Sequence, residues 1–227
     1  MTNQRMIVEM KGVLKFLTDL RKNNDRKWFE QNKDRYLDAK DTFEGFIAGL
    51  LKELVKSDER LALLDPKKLP FRIYRDVRFS KDKSPYKVNM GAGISPNGKL
   101  IQEPGYYIHI QPGNKSFVAG GIYMPDAGNL AKIRQEIDYN GEKLRKIFNQ
   151  ASFKKAFSAL DDFDRLKTAP KGYSNDHPRI EILKNKSFIV SRGFRDQEVT
   201  DKKFIASVAG YCSLIRPFND FIREALA

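Results

Sequence analysis

The sequence predicts an α+β fold, a central antiparallel sheet packed with N-terminal and C-terminal helices, in a single domain over residues 1–227. Three observations predict it. Apolar residues recur at a period near 3.6 at both ends of the chain, the central third switches to alternation, and the links within that third are short turns. Parallel strands need crossovers of about a dozen residues or more, so short links favour an antiparallel meander.

Val13, Phe16, Leu17 and Leu20 make one stripe of a first helix, which Asn23-Asn24 ends because Asn tolerates the left-handed conformation. Asp25 can cap a second, longer helix carrying Phe29, Asn32, Tyr36, Ala39, Phe43, Ile47, Leu50 and Leu54 on its inner face. Asn32 on that stripe requires a buried partner. After Asp65-Pro66, Phe71, Ile73, Val77 and Phe79 alternate as a half-buried strand, and Tyr86, Val88, Met90, Ala92 and Ile94 follow suit. Further strands are expected at Gly105–Gln111 and Lys115–Tyr123, on either side of Pro112-Gly113-Asn114. Pro125 opens a helical region with stripes at Leu130–Ile137, Leu144–Phe148 and Phe153–Leu160, interrupted at Asn140-Gly141. The loop Lys167–Pro178 leads to a short helix near Arg179–Lys184 and a strand at Ser187–Arg192. Thr200 then caps a final helix with Phe204, Val208, Cys212 and Ile215 inward and a kink near Pro217.

Composition excludes several classes. Hydrophobic residues at 41%, with 16 Phe and 9 Tyr, are too many for a disordered chain. One cysteine rules out a disulfide scaffold and a cysteine zinc site. No apolar run reaches membrane-spanning length, and the start Met1-Thr2-Asn3-Gln4-Arg5-Met6 lacks a signal core, so a cytoplasmic location is expected. Two histidines in separate segments offer no metal-ligand spacing, which leaves only a carboxylate-held magnesium ion open. There is no cofactor motif: Gly91-Ala92-Gly93 lacks the phosphate-loop spacing. Nothing in the sequence indicates an oligomeric state.

The net charge of +13 is unevenly spread. Residues 66–90 hold eight basic and two acidic side chains, a net +6. Charge this dense attracts anions. Alternation puts Arg75 on the apolar face of its strand, where a guanidinium needs either an internal carboxylate or an anionic ligand. Two readings follow. One is a solvated basic face with Arg75 in an internal ion pair; the other is an anion pocket with Arg75 or Arg78 at its floor and Lys87 at its rim. Gly91 and Gly93 share a face with Lys87 and Asn89, leaving room for a ligand or for tight packing.

A second group lies at Ala169–Pro178. His109 alternates with Tyr107 and Gln111 and reads as a packed or hydrogen-bonded sheet residue, so His177 is the candidate acid–base group. It stands before a short helix and could be oriented by Asp176 or another carboxylate, with Lys171 and Tyr173 as accessory ligand contacts. The alternative is a capping loop with Pro and Gly punctuation.

Leu20–Phe29, Tyr74–Lys87 and Pro170–Pro178 together resemble the domain-of-unknown-function family 2461, over about Phe16 to Leu226. The resemblance implies a single α+β domain of this length and no particular reaction. Its motifs fall on Arg75, Asp76, Arg78, Asp82, Lys83, Pro85, Tyr86 and Lys87, and on Asp176, His177 and Pro178, without giving any of them a role.

The leading expectation is a protein that binds a small phosphorylated or other anionic ligand, as an enzyme or otherwise. Arg75, Arg78 and Lys87 would hold the anion, and Asp176 and His177 would be the catalytic pair. The rivals are a single-stranded nucleic-acid-binding module, since Tyr74, Phe79 and Tyr86 interleave with cations, and a structural or partner-binding protein.

Overall fold

The computed structural model describes residues 3–99, 102–157 and 160–227. Helix α1 (Asn3–Lys22) ends at Asn23-Asn24 as expected. The Asp25 carboxylate accepts from the Trp28 N–H at 2.9 Å and so starts α2 (Arg26–Gln31). The long second helix of the sequence reading is two helices: Asn32 leaves helical geometry (φ −116°, ψ 22°) and α3 (Lys33–Val55) begins after it. Its side chain explains the polar break in the stripe, donating to Trp28 O at 2.9 Å and accepting from Arg35 at 2.9 Å.

The sheet has four antiparallel strands in the order of the chain, β1 (Met90–Ile94), β2 (Gly105–Ile110), β3 (Ser116–Ile122) and β4 (Phe188–Phe194). The fold is therefore α+β, as the periodicities predict; β1–β3 form the expected meander, and β4 joins its edge after α4, α5 and α6. The strand expected at Phe71–Phe79 does not form. Among its alternating residues only Ile73 is buried, while Phe71 is 39% and Phe79 96% exposed. This segment runs beside the β1 side of the sheet through scattered bonds instead, from Phe71 N to Gly91 O, Lys87 N to Ile73 O and Arg75 N to Pro85 O. Asn24 clamps it to the α1–α2 turn, donating to Tyr86 O and accepting from Tyr86 N, and Tyr86 stacks on Phe29 at 3.9 Å. Two of the three stretches that carry the family resemblance thus pack on each other.

Helix α4 (Ala127–Asn149) is capped by Asp126 and bent at Asn140; α5 (Ala151–Ala156) follows. Between α5 and β4 in the chain, α6 (Ile180–Leu183) is a single turn. Thr200 closes α7 (Asp196–Val199) rather than capping the last helix, α8 (Phe204–Leu226), which runs through Pro217. The reason is local: Lys203 is the residue before α8, and Thr200 Oγ1 bonds back to Asp196 O.

Helix α8 packs on one face of the sheet, against β3, and α3 and α4 pack on α8. Alternation selects that face: Ala92, Ile94, Tyr106, Ile108, Val118, Ile122, Phe188 and Val190 are buried there in one continuous cluster. Gly120 makes room for α8, since a Cβ on it would lie 2.2 Å from Ile215. Among the described residues no helix covers the opposite face, and the cavity lies there.

Candidate functional site

Strand register explains why that face is open. Gly93, Tyr107, Ala119 and Ser191 form one row across the four strands, and Gly91, His109, Phe117 and Gly193 form the next. Glycine, alanine and serine in these rows leave much of the sheet bare. Gly121 adds a bare position that only glycine can supply: its φ is +118°, and a Cβ would sit 1.9 Å from Phe188 O. Over this face lies a cavity of about 710 Å³, a volume ordinary for a small-molecule site. The Phe71–Lys87 segment walls one side and the Asp161–Phe163 segment the other.

Aromatic rings supply much of the lining. Tyr107 stands over Gly91, whose Cβ would lie 2.6 Å from the Tyr107 hydroxyl, so the protein itself fills that gap in β1. Phe71 meets Tyr107 at 6.1 Å, and exposed Tyr123 stacks on exposed Phe163 at 5.8 Å.

Cations gather at the Phe71 side. Lys87 donates to the Arg72 carbonyl at 3.0 Å and lies 5.9 Å from the Phe71 ring centre; Lys99 lies 5.5 Å from the same ring. Among the described residues, no carboxylate pairs with Arg72, Lys87 or Lys99. Loss of solvent, reinforced by the charges of Arg72 and Lys99, holds the Lys87 ammonium below the usual lysine range. At the other side, burial pushes the Asp161 carboxyl upward, against the hydrogen bond it accepts from Ser191 Oγ at 3.1 Å. Beside the cavity, His109 stacks on Phe117 at 4.6 Å and bonds with Gln111 at 2.8 Å; burial lowers its pKa and keeps it a neutral sheet residue.

Of the residues singled out in the sequence, Lys87 lines this cavity together with Asn89 and Gly91 of the same face, whereas Arg75, Arg78, Lys171, Tyr173, Asp176 and His177 do not. Arg75 does not face the core. It bonds Asp82 and Ser84 in its own loop, and Ser84, through its N–H and hydroxyl, together with Arg75 holds the Asp82 carboxyl down to about 2. Arg78 clasps Asp76 through two bonds, at 3.0 and 2.7 Å, with both partners exposed. The Asp-His-Pro loop sits elsewhere, against α4. His177 Nδ1 accepts from the Arg179 N–H at 3.1 Å, so in the neutral ring the proton is on Nε2, facing Asp138 at 2.9 Å. Its carboxylate partner is Asp138 and not Asp176, which is exposed, as is Lys171. Tyr173 packs edge-on to His177 at 5.8 Å, and burial raises its pKa. The basic loop and the histidine loop share no hydrogen-bond partner. A helix of one turn after Pro178 supplies little of the dipole that the sequence reading invoked.

Sequence reasoning passed over Arg72, Asp161 and Ser191. The +6 ribbon signalled Arg72, but nothing in the local sequence marks Asp161 as a cavity residue. Among the described residues no group of three or more His, Cys, Asp or Glu is placed to hold a metal ion, and no helix is long and apolar enough to cross a membrane.

In comparisons with known proteins, the family described as conserved hypothetical protein (DUF2461) matches residues 12–221. No curated protein and no solved structure matches the chain.

Proposed function

The chain belongs to the DUF2461 family of conserved hypothetical proteins, and from its geometry we propose that it binds a small anionic ligand, phosphorylated by preference, in the cavity on the open face of the sheet. One observation carries the reading: Lys87 and Lys99 meet at the Phe71 ring beside Arg72, and none of the three forms a salt bridge with a described carboxylate. Crowded, partly dehydrated cations cost free energy, and an anion relieves that cost. The aromatic lining suits a ligand with a flat or apolar body. Arg75 and Arg78 already have internal partners and are not needed for the anion; His177 and Asp138 form a separate polar cluster.

The test is calorimetric titration and thermal shift with inorganic phosphate, sugar phosphates and nucleoside monophosphates, in buffer free of other polyvalent anions. Stabilisation by a phosphorylated compound that fades with added salt and with Lys87→Ala supports the reading. A flat response across that panel ends it.

A second reading, single-stranded nucleic acid, is favoured by the loop beyond Tyr74. Phe79 is 96% exposed with the Arg78 guanidinium 5.8 Å from its ring centre, and Lys81 and Lys83 follow. Titration with RNA and single-stranded DNA at low and high salt separates the readings: nucleic-acid binding would need Phe79, whereas the pocket would not.

A further inference from the structure

The cavity has two chemically opposite poles. Its cationic pole is formed by Arg72 and Lys87 on the segment leading into β1. Asp161 lines the cavity on the β4 side, fixed there by its N–H donating to Ile189 O at 2.8 Å and by the Ser191 hydroxyl on Oδ1. Its Oδ2 accepts no hydrogen bond from any described residue, so one acceptor of a half-buried carboxyl stays open toward a ligand. The Arg72 segment bonds along the outer edge of β1 and Asp161 along the outer edge of β4, so five intervals of about 4.8 Å put their backbones about 24 Å apart, a gap that the side chains lining the cavity shorten. Between the poles the row Tyr107, Ala119, Ser191 offers one ring and two small side chains, a surface on which a flat group can lie. Next to Asp161 stand the exposed rings of Tyr123 and Phe163.

Building on the anion-binding reading, we infer that the pocket selects an elongated ligand with a phosphate at Arg72 and Lys87, a planar ring over the centre of the sheet, and an amino group donating to Asp161. Nucleoside monophosphates that carry an exocyclic amine have this pattern. The carboxylate supplies discrimination, because a carbonyl in place of the amine would set two acceptors against each other.

Isosteric pairs test it: adenosine against inosine monophosphate, and cytidine against uridine monophosphate, with ribose phosphate as the ring-free control. The amino member of at least one pair is expected to bind about tenfold or more tightly, the size of one hydrogen bond to a charged group. Asp161→Ala should erase that preference and leave ribose phosphate affinity within about twofold, while Lys87→Ala weakens every phosphate. Equal binding of both members of each pair to the unaltered protein overturns the inference, and that comparison does not depend on the variant folding. A preference that survives Asp161→Ala also overturns it. If ribose phosphate binds in a Lys87-dependent way without amine preference, only the amine inference falls; if no phosphate binds, the anion reading falls with it.

Discussion

Arg75 and Arg78 belong to the same run of cations as Arg72 and Lys87, yet the two pairs meet opposite surroundings. The loop between Val77 and Pro85 folds back so that Asp82 meets Arg75 and Asp76 meets Arg78. These bonds close within the loop, next to water. Exposed ion pairs of this kind contribute about 0–1 kcal/mol each. Arg72 and Lys87 lie where the segment borders the sheet and line the cavity; Lys87 is partly withdrawn from solvent, and neither makes a salt bridge among the described residues. Density of charge therefore does not locate a site here. What distinguishes the two regions is whether the chain supplies its own counter-charge.

The largest effect that would sharpen this contrast is on stability. Gly121→Ala forces a side chain into the Phe188 carbonyl at a positive φ, and should cost about 2–4 kcal/mol in a denaturant titration. The open face depends on such packed, bare strand positions; the basic loop does not. Next comes binding. Arg72→Ala or Lys87→Ala should weaken a phosphorylated ligand by about tenfold or more, whereas Arg78→Ala should change it less than about twofold. Equal losses in calorimetry at both places would break the distinction between paired and unpaired cations.

The pH dependence should differ in range and not in sign, since stability rises with pH in both windows, one acidic and one alkaline. The depressed Asp82 pKa means that its contribution to stability is complete above the ordinary aspartate value and is lost as pH falls through about 2. Asp82→Asn should therefore flatten the acid limb of a melting-temperature profile. For Lys87 the folded pKa is lowered, so the folded state binds fewer protons between that value and 10.5, and stability rises with pH across this window. Lys87→Met should raise the midpoint at neutral pH and remove that alkaline rise. The smallest effect is expected at the loop tip: Phe79→Ala should alter stability by less than about 0.5 kcal/mol, because a ring so exposed buries almost nothing.

Much of the architecture was legible because periodicity is a local property. The stripes Val13–Leu20 and Phe204–Ile215 became helical faces, and the turns at Ser95–Gly98 and Pro112–Asn114 joined strands in the expected meander. The error at Phe71–Phe79 has the same root. Alternating apolar residues describe a strand only if a neighbour pairs with them, and here Arg75 to Ser84 leave the sheet to form a loop closed on its own aspartates. The partner of His177 was equally hidden, since Asp138 lies 39 positions earlier while Asp176 is adjacent in sequence and exposed.

Sequence alone determined the α+β class, the meander and the excess of positive charge, each a matter of composition or of spacing along the chain. Only the tertiary structure decided which cations remain unneutralised and that Asp161 faces Lys87 across one cavity. Coulomb and hydrogen-bond energies depend on distance through space and on solvent, and the folding of β1 to β4 into one sheet sets both.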